Sequence, residues 1–295
     1  MSQIEIPGSS GYALMSDRSL DFYKDPMHFC NSRIQSNGSR IFQARLLNKP
    51  TIFVCSVKGM NELLCEKVNV FDTSYTTSMC KLFGDNVCFA NGEEAQLLRI
   101  SLMQLFRGKM LDTYADYINR VCTRNLKDLS MSSEPIAVYT LFKRLATELV
   151  LGIFLNVDAE KSAELSKQIT QLSTQHWHGL ISAPVNLKVS VWSSGFSQAL
   201  EAKEKLLHII NERLKSEEDG NAGQEKLLCC FGNGSRNCIG VELNDLILKT
   251  AVGYLLNHYC WDLDPPNQSL EYKWLPVSRP AEDPKIKFTS CSYKT

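Results

Sequence analysis

The most informative segment of this chain is Phe231-Gly232-Asn233-Gly234-Ser235-Arg236-Asn237-Cys238-Ile239-Gly240. It follows the pattern F-x-x-G-x-R-x-C-x-G and leads directly into an amphipathic segment. In a chain of 295 residues, five residue types at these fixed offsets coincide by chance with a probability on the order of 10⁻⁴. A lone cysteine is usually a small buried apolar residue, but a cysteine in this frame is a candidate metal ligand. A Gly-rich hairpin around a buried cysteine is the alternative.

The pattern resembles the haem-ligand loop of the cytochrome P-450 superfamily, the haem-thiolate monooxygenases. The resemblance implies that Cys238 is the axial thiolate of haem b, where a thiolate donates electron density to the iron and favours O–O cleavage. Arg236 would bind a haem propionate, because a guanidinium is always charged and forms forked hydrogen bonds with carboxylates. Phe231 would pack against the proximal side of the haem and keep water away from the sulfur.

The glycines of the same segment have their own expected roles. Gly232 and Gly234 allow a tight hairpin or bulge where the backbone passes close to a flat cofactor. Gly240 removes a side chain where the next helix must approach the porphyrin. The N-terminus of that helix favours a negatively charged sulfur.

The segment after the cysteine is predicted to be a helix. Its apolar residues recur at the helical period and define one face: Leu243, Leu246, Ile247, Ala251, Tyr254 and Leu255. Asn244 stands where members of the family usually have a small alanine.

Composition favours a globular protein that binds no nucleic acid. The formal net charge is +0, 22% of the residues are charged and 44% are hydrophobic. No apolar run approaches the ~18 residues that span a bilayer, and the N-terminal residues lack the pattern of a signal peptide. Eleven cysteines without an export signal predict a reducing, cytoplasmic compartment. The alternative is a peripheral location on the cytosolic face of the endoplasmic reticulum. None of the cysteines forms a C-x₂-C pair, which disfavours zinc.

The order of elements predicts a mainly α fold with small β-sheets, organised as a single domain over residues 1–295 that resembles an incomplete cytochrome P-450 fold. Strand formers at 41–47 and 51–55 predict a β-hairpin, and residues 71–89 are expected to be irregular. A helix from residue 91 is expected to carry an apolar face that includes Leu98. In the family this helix presents a Trp or His and, four residues later, an Arg to the haem propionates; here these positions hold Ala95 and Arg99.

An absence is the second informative feature. In the family, a long distal helix with an A-G-x-x-T groove and a helix with E-x-x-R precede the cysteine loop. Neither pattern occurs in this chain, and Cys238 follows Gly223 by fifteen residues. We therefore expect an internal deletion near residues 228–230, of the kind that a skipped exon or an incomplete gene prediction produces.

Three functional readings follow. The resemblance implies a monooxygenase that inserts one oxygen atom of O₂ into an apolar small molecule, with electrons from NADPH through a reductase partner, and whose catalysis is impaired by the deletion. The chain could instead bind haem without turnover, or be a poorly folded fragment. Residues 275–280 and 285–288 resemble the terminal β segment of the branch that oxidises retinoids and sterols.

Overall fold

The computed structural model describes residues 5–13, 15–67, 70–72, 74–158, 161–182, 188–189, 192–214, 237–274 and 277–291. These residues form a mainly helical fold with small sheets, as predicted. The helices are α1 Ser19–Lys24, α2 Pro26–Asn37, α3 Val57–Asn61, α4 Thr77–Phe83, α5 Gly92–Met103, α6 Lys109–Leu126, α7 Val138–Leu155, α8 Ala163–His178, α9 Gly195–Leu214 and α10 Val241–His258. Short turns of 3₁₀ helix cover Gln104–Phe106, Leu129–Met131 and Gly179–Ile181, and a π-helical turn covers Glu62–Glu66.

The strands are short. They are β1 Ile41–Leu46, β2 Lys49–Val54, β3 Ile136–Ala137, β4 Lys188–Val189, β5 Trp192–Ser193, β6 Tyr259–Leu263, β7 Tyr272–Lys273, β8 Arg279–Pro280 and β9 Lys285–Ser290. β1 pairs with β2, β4 with β5 and β7 with β8, while β9 lies between β3 and β6 in a three-stranded sheet. The pairs β1–β2, β3–β9, β4–β5 and β6–β9 are antiparallel.

The chain divides into two compact units. The first holds the described parts of 1–72, residue 237 and the described parts of 271–279, and the second holds those of 73–226, 238–270 and 280–295.

The first unit is built on the predicted hairpin. Leu47 and Asn48 connect β1 to β2 with positive φ angles of 48° and 61°, which is the backbone of a tight two-residue hairpin turn. Behind the hairpin, the ring of Phe42 stacks on that of Phe53 with centroids 4.8 Å apart. Phe29 of α2 is buried against the same rings. An aromatic cluster therefore fixes the helix on the sheet.

The N-terminal segment of this unit lies along β1. The backbone N–H of Gln43 donates to the carbonyl of Pro7 over 2.8 Å. Gly8 has a φ of 94°, and a Cβ atom at this position would lie 2.5 Å from the Gln43 carbonyl oxygen. Close approach of the two backbones therefore requires glycine at position 8.

The core of the second unit joins α6, α7 and α10 with the three-stranded sheet. Its buried members are Ile118, Val121, Cys122, Leu126, Leu129, Leu141, Leu145, Leu149, Leu243, Ala251, Leu255, Tyr259 and Phe288. The predicted apolar face of α10 is confirmed, because Leu243, Ala251 and Leu255 are buried and its other members pack against the same cluster. The Tyr259 hydroxyl donates to the Leu126 carbonyl over 2.7 Å, which ties the beginning of β6 to the end of α6.

Two local expectations are wrong. Residues 71–89 are not irregular throughout, since α4 forms within them and the Thr76 hydroxyl caps it by accepting a hydrogen bond from the Met79 N–H over 3.3 Å. On α5, Leu98 is exposed while Ala95 is buried. Residues three apart share one side of a helix, so the side of α5 that packs buries Ala95 without covering Leu98. Tertiary contacts therefore outweigh the local apolar pattern at Leu98.

Candidate functional site

Cys238 lies immediately before α10, and its side chain is exposed. Gly240 is the N-cap residue of the helix, and its carbonyl accepts a hydrogen bond from the Asn244 N–H over 2.9 Å. Cys238 therefore directly precedes the N-terminus of an 18-residue helix, which is the positive end of the helix dipole. This position suits an accessible thiolate that acts as a ligand.

The side chains nearest to the position of a Cβ atom at Gly240 are those of Phe106 and Cys238. A Cβ atom added at Gly240 would lie 3.7 Å from Cδ1 of Phe106 and 4.0 Å from Sγ of Cys238. These are ordinary contact distances, so a methyl group fits without a clash. Every larger side chain at position 240 would have to extend from a point close to the sulfur. Glycine at this position thus keeps the surroundings of the sulfur open to a ligand.

An ion pair anchors the first turn of α10. Nε of Arg107 lies 3.4 Å from Oε1 of Glu242, with the arginine side chain 4% exposed and the glutamate side chain 29% exposed. Burial raises the pKa of Glu242, and the positive charge of Arg107 acts in the opposite direction. Because burial has the larger effect, Glu242 gives up its proton less readily than a carboxyl group in water.

Phe106 and Arg107 were not among the predicted site residues. Phe106 ends the 3₁₀ turn after α5 and lies near Gly240, and Arg107 follows it and pairs with Glu242. Gly240 and Glu242 are far away in the sequence. A sequence signal was present, since the charged Arg107 directly follows the apolar Leu105 and Phe106. That signal could not identify its partner, because nothing in a single sequence links position 107 to position 242.

The structure describes only one of the other predicted site residues. Arg99 is partly buried and lies one helical turn after buried Ala95, on the helix that leads into Phe106. Phe231, Gly232, Gly234 and Arg236 lie outside the described residues, so their roles stay predictions. The expected junction near 228–230 lies outside them as well.

The described residues fit the haem group that the sequence resemblance implies. A porphyrin supplies four nitrogen ligands, so a haem iron needs one axial ligand from the protein on the proximal side. Cys238 is a free, exposed thiol, and Gly240 leaves room beside it. Within the described ranges, no group of three or more His, Cys, Asp and Glu side chains is arranged to hold a metal ion. None of the described helices combines the length and the apolar character needed to cross a membrane.

Comparisons with known proteins identify the family of this chain and several of its relatives. The family model described as cytochrome P450 matches residues 11–230. A beta-amyrin 11-oxidase of Glycyrrhiza uralensis is 25% identical over 261 residues, which cover 82% of this chain and 51% of the relative. The abscisic acid 8'-hydroxylase CYP707A1 of Solanum lycopersicum is 24% identical over 252 residues, covering 84% and 51% respectively. The chain thus spans about half the length of the curated relatives that it matches.

Among solved structures, the retinoic acid bound cyanobacterial CYP120A1 matches with a TM-score of 0.81 at 16% identity. The match covers 97% of this chain and 99% of that chain. At this identity the likeness concerns the fold alone.

Proposed function

The chain belongs to the cytochrome P450 family, and from that premise we propose that it binds haem b with the Cys238 thiolate as the axial ligand of the iron. The observation that carries this proposal is the exposed Cys238 sulfur at the beginning of α10, beside a glycine that leaves the sulfur accessible. Haem would supply the iron at which dioxygen is reduced. The family implies an apolar substrate and a reductase that passes on electrons from NADPH.

Several residues of this chain would contribute to haem binding, each in a different way. Cys238 provides the thiolate, and Phe106 and Gly240 shape the space next to it. Arg107 holds the first turn of α10 through Glu242 and so fixes the direction from which the cysteine is presented. Arg236 and Arg99 would neutralise the haem propionates, and Phe231 would keep water away from the sulfur, with Gly232 and Gly234 shaping the loop.

The experiment for this proposal is haem reconstitution followed by the spectrum of the reduced, carbon-monoxide-bound form. We expect the band of a thiolate-ligated haem for the unaltered chain and its loss for Cys238→Ser. Cys122→Ser is a matched control, because Cys122 is fully buried within the α6 core and unsuited to ligation. A thiolate band that survives in Cys238→Ser would refute the assignment.

We further propose that catalysis by this chain is impaired, because a segment corresponding to the distal and E-x-x-R helices is missing near residues 228–230. The length of the relatives and the end-to-end match with a solved structure both support an internal absence. A third observation also supports it. On the face of α10 opposite the core, Leu248, Val252 and Leu256 recur every four residues and are all exposed. Apolar stripes of this kind usually mark a surface that another element covers.

Reading the transcript across codons 228–230 tests the deletion. A longer message that carries A-G-x-x-T and E-x-x-R in frame would support it, and a gene in which residues 214 and 237 are joined by no further coding sequence would contradict it.

For a protein that includes the missing segment, we propose an apolar terpenoid, retinoid or sterol as substrate, because beta-amyrin and taxoid oxidising enzymes are among the relatives. Ligand-induced changes in the haem spectrum would measure this binding.

A further inference from the structure

The thiols of two cysteines other than Cys238 lie in contact. The Sγ atoms of Cys260 and Cys291 are 2.9 Å apart. Cys260 is exposed and Cys291 is partly buried. A disulfide requires a sulfur separation of about 2.04 Å, so the two atoms need to approach by roughly 0.9 Å to form one.

The backbone of the three-stranded sheet holds both residues on one side. Cys260 on β6 is directly opposite Thr289 on β9, and the Cys291 N–H donates to the His258 carbonyl over 2.9 Å just beyond the last pair. Side chains of directly opposed residues point to the same face, and so do residues two apart on a strand. Cys260 and Cys291 are therefore diagonal neighbours on one face, held there by the ladder itself.

We propose that Cys260 and Cys291 form a reversible disulfide when the protein meets a low-molecular-weight disulfide such as glutathione disulfide. One cysteine, as its thiolate, attacks a glutathione sulfur and releases one glutathione thiolate. The second cysteine then attacks the protein sulfur of the mixed disulfide and releases another. The two protons of the cysteine thiols pass to the two glutathione thiolates, so that two protein thiols are oxidised and one glutathione disulfide is reduced.

A second thiol pair shows why position matters. Cys30 and Cys55 interact in the first unit, but they lie in its aromatic cluster and burial raises the pKa of Cys30 to about 11. Little thiolate exists there at neutral pH, and a reagent reaches it less readily. Cys260 is open to solvent. The pKa of Cys291 is raised as well, chiefly by its hydrogen bond with Cys260, and that bond disappears once Cys260 forms the mixed disulfide.

The disulfide would clamp the sheet beside the core of the second unit. The disulfide would link residues 260 and 291. The strands β6 and β9, to which it is attached, carry Tyr259 and Phe288, which pack with α6 and α10. β6 begins directly where α10 ends. Oxidation would therefore fix the C-terminal end of the helix whose beginning carries Cys238, whether or not haem is bound.

The test treats the full chain with glutathione disulfide, blocks remaining thiols and maps tryptic peptides by mass spectrometry. We expect peptides 250–273 and 288–294 to be joined, because each contains one cysteine of the pair. Exposed Cys65, Cys80 and Cys88 report whether the reagent reached the protein. The thermal midpoint should rise by roughly 5 °C on oxidation and return with dithiothreitol.

Cys260→Ser and Cys291→Ser should lose both the joined peptides and the thermal shift and should instead carry one glutathione on the remaining cysteine. Cys30→Ser is the matched control and should retain both. Recovery of Cys260 and Cys291 in the unaltered protein as two separate glutathione adducts, or as free thiols under conditions that modify Cys65, would overturn the proposal.

Discussion

Nε of Arg107 lies 3.4 Å from Oε1 of Glu242, so a buried cation just before α6 meets the first turn of the helix that follows Cys238. Removing two charges from water costs several kcal/mol, and apolar residues of similar volume often pack there at no loss of stability. The ion pair therefore serves mainly to position α10 and not to stabilise the fold. It fixes the register of α10 relative to Phe106, which in turn limits the space beside the cysteine sulfur.

Glu242→Gln should change the free energy of unfolding by less than about 1 kcal/mol, because the amide keeps a polar oxygen of similar size beside Arg107. Glu242→Leu removes the negative charge beside buried Arg107 and should cost about 3 kcal/mol or more. Urea denaturation at pH 7 measures both changes. A loss in Glu242→Gln equal to that in Glu242→Leu would contradict this account.

The pH dependence of the same pair has a definite sign. Burial raises the pKa of Glu242 in the folded protein, so its contribution to stability is complete below the unfolded pKa of about 4.3 and is lost as the pH rises through the folded value. Unaltered protein should therefore gain stability relative to Glu242→Gln as the pH falls from 7 towards 4. Parallel stability curves for the two proteins over this interval would argue against a raised pKa.

Gly240→Ala should fold as well as the unaltered chain but lose about tenfold in haem affinity, which is about 1.4 kcal/mol. The added Cβ atom fits the haem-free chain, yet it would lie 4.0 Å from the sulfur, where the porphyrin must approach. Gly253→Ala is the matched control on the same helix, since a Cβ atom there meets nothing within 4 Å. It should stabilise α10 by about 0.5–1 kcal/mol and leave haem affinity unchanged. Haem titration with a parallel thermal melt separates the two effects.

Arg236→Ala should weaken haem retention more than Arg99→Ala. Arg236 is two residues before the ligand, whereas Arg99 has Ala95 in place of the companion that the family offers. Loss of a buried charge-assisted pair costs ~2–5 kcal/mol, and loss of a partly exposed pair less than about 1 kcal/mol. Haem titrations of both variants measure the difference, and equal or reversed losses would refute the ranking.

The purified chain should not hydroxylate retinoids, sterols or fatty acids, even with NADPH and a competent reductase. Proton delivery and a closed distal pocket belong to the segment that we propose is missing, and water that enters an open pocket favours wasteful reduction of dioxygen. NADPH consumption accompanied by peroxide alone is the expected result. Oxygenated product in stoichiometric yield, abolished in Cys238→Ser, would show that the remaining helices rebuild a working site.

Leu255→Lys and Leu256→Lys test the two faces of α10. Leu255 is 6% exposed within the core and Leu256 is 59% exposed on the opposite stripe. The first change should cost about 3 kcal/mol or more, because it buries a charge and opens a cavity. The second should alter stability by less than about 0.5 kcal/mol and reduce self-association, which light scattering measures. Severe destabilisation by Leu256→Lys would show that this stripe is not a free surface.

The sequence by itself determined the features whose causes are local. Alternating strand formers around a short turn give the hairpin, and the helical period of Leu243, Ala251 and Leu255 gives the buried face of α10. The frame around Cys238 indicated the family, because its five fixed residues lie within ten consecutive positions of the sequence. The apolar residues Tyr114, Ile118 and Val121 of α6 also recur at helical spacing, although no helix was predicted there.

Tertiary structure decided what depends on contacts between distant residues. It buried Ala95 and left Leu98 exposed, although the apolar pattern predicts Leu98 on the packed face. It also brought Arg107 to Glu242 and Cys260 to Cys291, pairs that no spacing in the sequence connects. A charge or a thiol carries no periodic pattern that points to its partner. The helix faces and strand register of the folded chain therefore had to be known before either pair could be identified.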